Sequence, residues 1–313
     1  MNDLHVVFGT GPLGLAVMRE LRRRGKPVRM VNRSSRVRFV KDVQTQVGGV
    51  DAADPVQTRE ACEGAAVVYH CVGLPYARWS ELPRIAEGIA KGAASVQAKL
   101  IYADNLYAYG AVQIAMTENL PMAATTNKGR IRAGIARTLA ALHQSGAIRV
   151  AIGRGSDFFG PGATEGAMMG TRVFGRALAG KAAQVVGNPE RLHTYTFIDD
   201  FGRALVTLGE RDEALGGVWH VPSAPAVTTR GFVDKVHGEL GARTRLRTVP
   251  RMVLRLLGRF DQNLRELNEM LYQFERDFIM DSSRFESAFG IAATPLEESI
   301  RQTLRWYKER MAS

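Results

Sequence analysis

The sequence has little cysteine, two residues in 313, Cys62 and Cys71. Their spacing suits no metal site, and no partner histidine marks either as a nucleophile. A disulfide framework is excluded as an organising device, and a reduced, cytoplasmic setting is expected. Cys62 is expected to pack on a helix and Cys71 at a strand end. No apolar run reaches the ~20 residues needed to cross a membrane, and the first residues lead almost directly into a strand pattern rather than a secretory leader. Repeats and low-complexity tracts are missing too, which excludes solenoids and long linkers. Negative charge is in short supply: 42 Lys and Arg face 31 Asp and Glu, a formal net charge of +11. That favours anionic partners, including phosphorylated cofactors. Nucleic acid is disfavoured, because the arginines are scattered and neither interleaved aromatics nor zinc-finger spacing accompanies them. The densest basic stretch, "RTRLRTVPRMVLRLLGRF", sets Met252, Val253, Leu256, Leu257 and Phe260 at helical spacing. It reads as an amphipathic helix with a basic outer face.

What is present is α/β alternation. "HVVFG" reads as a buried strand, "LGLAVMRELRRRG" as a helix ending at Gly25, and "VRMVN" as a second strand. "VQTQVGGVDAADP" holds a short third strand, and "DPVQTREACEG" is a helix opened by an Asp-Pro cap. "AAVVYHCVG" is almost continuously apolar, as suits a parallel strand covered on both faces. "WSELPRIAEGIAKGAA", "KLIYADN", "KGRIRAGIARTLAALHQSG" and "IRVAIGRG" continue the order helix, strand, helix, strand. The pattern predicts a Rossmann-type, doubly wound parallel sheet with a smaller, mainly helical C-terminal substrate domain. Residues 1–163 form the dinucleotide-binding part, to which the chain returns at about 193–221. Residues 164–192 and 222–313 form the smaller part. In the smaller part "MMGTRVFGRALAG" reads as a helix and "VVGNPE" as a turn; on the return, "HTYTFIDD" reads as a strand-like run before the helix "DFGRALVTLGE". "GVWHVP" reads as one more strand.

"VVFGTGPLG" carries Gly9, Gly11 and Gly14 as G-x-G-x-x-G, directly after the first strand and opening the first helix. Such glycines permit a tight turn and close approach of a pyrophosphate to the helix N-terminus, and the intervening Thr10, Pro12 and Leu13 belong to the same cradle. An acidic residue at the end of the second strand would accept from the ribose 2′-hydroxyl of NAD(H). The sequence reads "VNRSSR" there. Asn32, Arg33 and Ser34 offer donors, and Arg33 or Arg36 can pair with a 2′-phosphate. NADP(H) is therefore expected in preference to NAD(H). Asp51, followed by Ala52, ends the third-strand segment where a carboxylate reaches the adenine amino group.

Several segments together resemble the short-chain dehydrogenase/reductases of extended or atypical type, the NAD-dependent epimerase/dehydratase group. "VVYHCVGLP" is similar to that family's fourth-strand motif, which adds Val72 and Gly73 to the expected cofactor contacts. "IYADNLYAYG", "GRGSDFFGPG", "YTFIDDFGRAL" and the C-terminal "FIMDSSRFESAFG" and "TPLEESIRQTLRWY" are similar to successive segments of the same family. Phe8 takes the place of the usual first glycine, as in atypical members. The resemblance covers nearly the whole chain.

The family's reductive site uses Ser or Thr, Tyr and Lys. The resemblance puts Lys128 on the lysine position, Ala124 on the tyrosine position and Asn105 on the serine position. Hydride transfer to a carbonyl leaves an alkoxide that needs a proton donor, and Ala124 cannot supply one. Tyr107, just past the fifth strand, is the favoured substitute, with Thr125, Thr126 and a desolvated Lys128 as alternatives. Asn105 can donate to a substrate carbonyl. Asp104 can orient Lys128, act as a base, or simply cap the turn with Asn105. Among the histidines, His70 reads as a core residue and His220 as a strand residue at the domain junction. His193 lies near where sugar-nucleotide members carry a phosphate-binding arginine. The expected protein is an NADP(H)-binding oxidoreductase or epimerase/dehydratase-like enzyme acting on a small carbonyl or hydroxyl compound, or a catalytically silent NADP(H) sensor. A homodimer is compatible with either reading.

Overall fold

A computed structural model describes residues 3–34, 47–249 and 251–311. Arg36 lies outside them. The first half alternates as the sequence predicts: β1 (Leu4–Phe8), α1 (Pro12–Arg23), β2 (Val28–Asn32), β3 (Val47–Gly49), α2 (Pro55–Cys62), β4 (Ala65–His70), α3 (Leu82–Ser95), β5 (Lys99–Asn105), α4 (Asn127–Gln144) and β6 (Val150–Gly155). Local chemistry sets the boundaries. Pro12 and Pro55 occupy the first turns of α1 and α2, where a missing N–H costs nothing. Asp54 caps α2 by accepting from the N–H groups of Val56 (2.9 Å) and Gln57 (3.3 Å), as expected of the Asp-Pro pair. Thr126 caps α4 by accepting from Gly129 N–H at 3.1 Å.

Beyond β6 come β7 (Asp157–Phe159), a π-type turn (Thr171–Gly175) running into α5 (Arg176–Leu178), β8 (Ala183–Val186), β9 (Leu192–His193), β10 (Tyr195–Phe197), α6 (Ile198–Glu210) and β11 (Val218–His220). β12 (Val227–Thr228), α7 (Thr229–Gly238), β13 (Leu246–Val249), α8 (Arg251–Leu257), α9 (Gln262–Asn268), α10 (Tyr272–Glu275), α11 (Ser283–Phe289) and α12 (Leu296–Met311) complete the order. β11 joins the main sheet, whose parallel strands run β11-β6-β5-β4-β1-β2-β3. Two apolar layers cover it. α2, α3 and α4 pack on one face through residues such as Ile85, Ile89 and Leu139, and α1 and α6 on the other through Leu15, Leu21, Phe201 and Leu205. A further core around Phe159, Phe174, Tyr195, Phe232 and Tyr307 joins the later elements. Among the described residues no helix is long and apolar enough to cross a membrane.

Four sequence expectations change. The helix expected at 168–180 is broken into a π-type turn and a single α-turn. Gly170 meets Thr164 O so closely that a Cβ there would lie 2.0 Å away, and Gly180 ends the run at φ +66°. Val185 and Val186, read as part of a turn, belong to β8 and pair with Thr248 and Val249. The turn starts at Gly187, whose φ of +72° suits glycine. Ile198 to Asp200 open α6 rather than prolonging a strand, which places two carboxylates at its N-terminal dipole. Finally, four of the apolar residues read as the inner face of 243–260 do not face inward. Met252 and Phe260 are 81% and 87% exposed, and Val253 and Leu256 are exposed as well. Leu254 is the buried contact, packed with Leu267, Leu271 and Phe274. The stretch is also part strand (β13) and part helix (α8), so a single helical period over its whole length misassigned the buried side.

Candidate active site

The glycines of the first loop divide by what surrounds them. Gly9 has φ +106°, and a Cβ there would lie 2.6 Å from Cys71 O. A Cβ on Gly14 would lie 1.8 Å from Gly9 O, so the helix start is pressed onto the strand end. Both are therefore required by the protein's own packing. Gly11 is different. It is exposed, its backbone (φ −74°, ψ −178°) suits any residue, and a Cβ there meets nothing within 4 Å. The space above it lies at the N-terminus of α1, whose unpaired N–H groups and dipole suit an anion. The residues present fit a dinucleotide. Pro12 is half-buried, Leu13 is buried, and Thr10 Oγ accepts from Asn32 Nδ2 at 2.5 Å, tying the loop to the end of β2. Arg33 and Ser34 are exposed beyond it. Asp51 Oδ1 accepts from Ala53 N–H (3.1 Å), which fixes the turn with Ala52 beside α3. Half-buried Val72 and exposed Gly73 follow β4 on the same edge of the sheet.

The neighbouring strands bring the chemistry-bearing residues together. Asn105 and Gly155 are register partners at the ends of β5 and β6. Tyr107 and Asp157 each emerge two residues later, and Tyr76 follows β4. This is the carboxyl edge, where ligands bind in open α/β sheets. The Tyr107 and Tyr76 hydroxyls are 2.8 Å apart, Gln273 Nε2 donates to Tyr107 Oη at 3.4 Å, and Trp79 stacks on the Tyr107 ring. Burial pushes the Tyr107 hydroxyl well above the usual tyrosine range, and the Tyr76 hydroxyl and the Asp157 carboxylate push it the same way. Tyr76 is raised too, by burial first and by Asp157 second. Both hydroxyls stay protonated and are weak acids.

Lys128 is 2% exposed at the start of α4. Its ammonium contacts Glu266 Oε2 (2.5 Å) and Glu269 Oε2 (2.8 Å) and lies 5.2 Å from the Tyr76 ring centre. The two glutamates come from α9 and its end, and neither was singled out from the sequence. The lysine is thus buried and ion-paired with two carboxylates. Ala124 sits against Gly129, where a Cβ would lie 2.4 Å from the alanine methyl, so this site is filled by close backbone approach. Asn105 Oδ1 accepts from Tyr107 N–H (3.1 Å), which caps the 3-10 turn Leu106–Tyr109. Asp104 does not orient Lys128. It is buried, accepts from Arg154 Nε at 2.9 Å and lies 3.6 Å from Arg132 Nη1. Two buried arginines therefore share one carboxylate beneath the site. Arg132 also donates to Tyr102 Oη at 2.7 Å and covers the Trp79 ring.

The histidines separate by environment. His70 is a core residue, as expected. Burial and then the Arg132 charge drive it down to about 3, so it is neutral, with Nδ1 accepting from Val72 N–H at 3.3 Å. His220 is buried in β11 between Asp281 O (2.9 Å) and the Tyr109 hydroxyl (2.8 Å). His193 faces Asp157 Oδ2 at 2.9 Å. The thiols are inert: burial raises Cys62 to about 12 and Cys71 further still.

A sequence model described as the NAD dependent epimerase/dehydratase family matches residues 6–221. The chain belongs to this family. The match covers the nucleotide cradle and every strand of the main sheet, and the family is one of nicotinamide-dinucleotide-binding enzymes. Among solved structures, this family member shares its fold with the Thermus thermophilus UDP-glucose 4-epimerase in complex with NAD. That pair has a TM-score of 0.79 and 16% identity, over 97% of this chain and 99% of the other. The dTDP-glucose 4,6-dehydratase of Bacillus anthracis in complex with NAD gives a TM-score of 0.81 at 13% identity, over 99% and 97%. The UDP-glucuronic acid 4-epimerase of Bacillus cereus in complex with NAD gives 0.77 at 14%, over 98% and 99%. No curated protein sequence matches.

Proposed function

We propose that this family member is a nicotinamide-dependent oxidoreductase or epimerase/dehydratase-like enzyme acting on a small carbonyl or hydroxyl compound. The open space over Gly11 carries the cofactor part of the reading, since neither packing nor backbone conformation there calls for glycine. Gly9 to Gly14 would hold the pyrophosphate, with Asn32, Arg33 and Ser34 at the adenosine ribose and Asp51 and Ala52 at the adenine. Val72, Gly73 and Lys128 would lie along the nicotinamide half. When bound, the dinucleotide supplies or takes up the hydride. Tyr76, Tyr107 and Asn105 then surround the place where a substrate oxygen sits, with Tyr107 as hydrogen-bond donor.

NADP(H) is the preferred form in this reading. No carboxylate stands at the end of β2 to repel a 2′-phosphate, and exposed Arg33 can pair with one. The solved neighbours named above hold NAD, so the comparison of the two forms is decisive. NADPH should bind at least about tenfold more tightly than NADH, a difference of about 1.4 kcal/mol. Equal or reversed affinity overturns the preference.

The solved UDP-glucose 4-epimerase acts on a sugar nucleotide, but two residues here argue for a smaller substrate. His193 lies near where sugar-nucleotide members carry a phosphate-binding arginine, and the carboxylate of Asp157 stands against it, where it would repel a diphosphate. A screen of aldehydes, ketones and enones, with UDP-glucose included, read by NADPH absorbance, tests this. Turnover of UDP-glucose alone overturns it. A second reading, an NADP(H)-binding regulator without turnover, is favoured by Ala124 and by the engagement of Lys128 with Glu266 and Glu269. Tight cofactor binding with no turnover across the screen decides for that one.

A further inference from the structure

Residues 243–265 hold seven arginines, no lysine and one acidic group, Asp261. The stretch supplies six of the chain's eleven excess positive charges. Arg243, Arg245, Arg247, Arg259 and Arg265 are exposed. Among them rises an apolar ridge. Phe260 and Met252 are the two most exposed large apolar side chains among the described residues, and Val253 and Leu256 accompany them. The helical path of α8 continues past Leu257, since Gly258 N–H donates to Leu254 O at 2.9 Å. With about 100° of turn per residue, the four ridge residues fall within about 100° of one side, and Leu254 and Gly258 fall on the other.

That other side is the one the protein holds. Leu254 packs with Leu267, Leu271 and Phe274. A Cβ on Gly258 would lie 3.0 Å from Arg265 Cα, so α8 is pressed onto the backbone of α9. Rolling α8 to bury the ridge would break this seat. A contiguous apolar face of this kind marks an interaction surface, and its charge selects the partner. A second copy of the chain would set the same excess of arginines against itself. Nucleic acid would neutralise the arginines and leave Met252 and Phe260 in water. An acidic protein would have to provide hollows for two side chains that project almost free of their surroundings. A bilayer surface meets both parts. Its acyl chains receive a projecting apolar ridge, and its anionic phosphodiesters pair with guanidinium groups.

We propose that Met252, Val253, Leu256 and Phe260, with their arginine rim, dock this protein on an anionic phospholipid surface. α8 lies in the interface with its ridge among the outer acyl segments, and nothing crosses the bilayer. The arginines draw the protein to the surface, and the ridge holds it there. α9, which seats α8, also carries Glu266, a partner of Lys128, so the docking face and the candidate active site share one element.

The test is co-sedimentation of the intact wild-type protein with two kinds of vesicle, pure phosphatidylcholine and phosphatidylcholine carrying about 30% phosphatidylserine. The anionic vesicles should bind at least about tenfold more tightly, and raising salt from about 50 to about 500 mM should weaken that binding by about tenfold. Equal binding to both kinds, or sedimentation with neither, overturns the proposal. The double variant Met252→Ser with Phe260→Ser should lose at least about tenfold in affinity for the anionic vesicles while keeping the wild-type urea midpoint, because both side chains are exposed. Arg247→Glu with Arg259→Glu should lose as much. Vesicle affinity unchanged in either double variant overturns the assigned face. A dimer in gel filtration that the Met252/Phe260 variant abolishes gives the face to a second copy and overturns the lipid assignment. Binding of poly-glutamate as tight as that of the anionic vesicles does the same in favour of an acidic protein.

Discussion

At the scale of single residues, one loop contains two glycines with opposite reasons for being there. Gly14→Ala should cost at least about 2 kcal/mol of stability, because its methyl has to displace the backbone of Gly9. Gly11→Val should cost no more than about 1 kcal/mol in a urea titration, yet lower dinucleotide affinity by an order of magnitude or more. Equal effects of the two on both measurements would contradict the assignment of the space above Gly11. His70 gives a pH signature. Its folded value of about 3 lies below the 6.5 of an unfolded histidine, so between these values the unfolded chain binds a proton that the native one refuses. Stability is present above the unfolded value and is lost as pH falls through this window, by about 1.4 kcal/mol per pH unit at most. His70→Gln should flatten the decline of the urea midpoint between pH 6.5 and 4 by about one proton, and an unchanged slope would show the loss to arise elsewhere. The sequence made Gly9, Gly11 and Gly14 legible because a glycine turn between a strand and a helix is local. It could not show that Glu266 and Glu269 meet Lys128, since 138 and 141 residues separate the partners and no period encodes such a contact.

At the scale of elements, the first half was readable and the second was less so, for a physical reason. β2 and β5 match their expected limits residue for residue, each carrying a buried apolar stretch and ending in an asparagine at the carboxyl edge. α8 shows the limit of that logic. Apolar residues sit at helical spacing on more than one of its sides, and only the partner surface from α9 and α10 decides which side is inside. Met252→Lys and Leu256→Lys should each change stability by less than about 0.5 kcal/mol, whereas Leu254→Ala should cost about 2 to 5 kcal/mol. A large loss from either lysine variant in chemical denaturation would reverse the assigned face. Glycine spacing on α3 was legible only afterwards. Gly88 and Gly92 bring that helix onto the α2 segment, where a Cβ would lie 2.3 Å from Ala52 O and 2.8 Å from the Thr58 carbonyl.

At the scale of the whole molecule, the two stretches of chain outside the main sheet meet in β8–β13 pairing, and the later one returns Glu266, Glu269, Tyr272 and Gln273 to the carboxyl edge of the sheet. A ligand of the native state therefore stabilises the assembly as a unit. NADP⁺ at about 100 times its dissociation constant should add about 2.7 kcal/mol, seen as a rise in Tm that exceeds the rise from NAD⁺ at equal concentration. The reverse order of the two shifts would point to NAD(H). The path of the chain has one more consequence, which concerns synthesis. β6 finds its outer neighbour, β11, only after an excursion of roughly sixty residues. At about 5 to 20 residues per second, a growing chain leaves the β6 edge unpaired for on the order of 3 to 12 seconds. During that interval the nascent sheet presents an apolar, hydrogen-bonding border to its surroundings, which makes this stage of translation the one at which a chaperone or a second nascent chain would meet it.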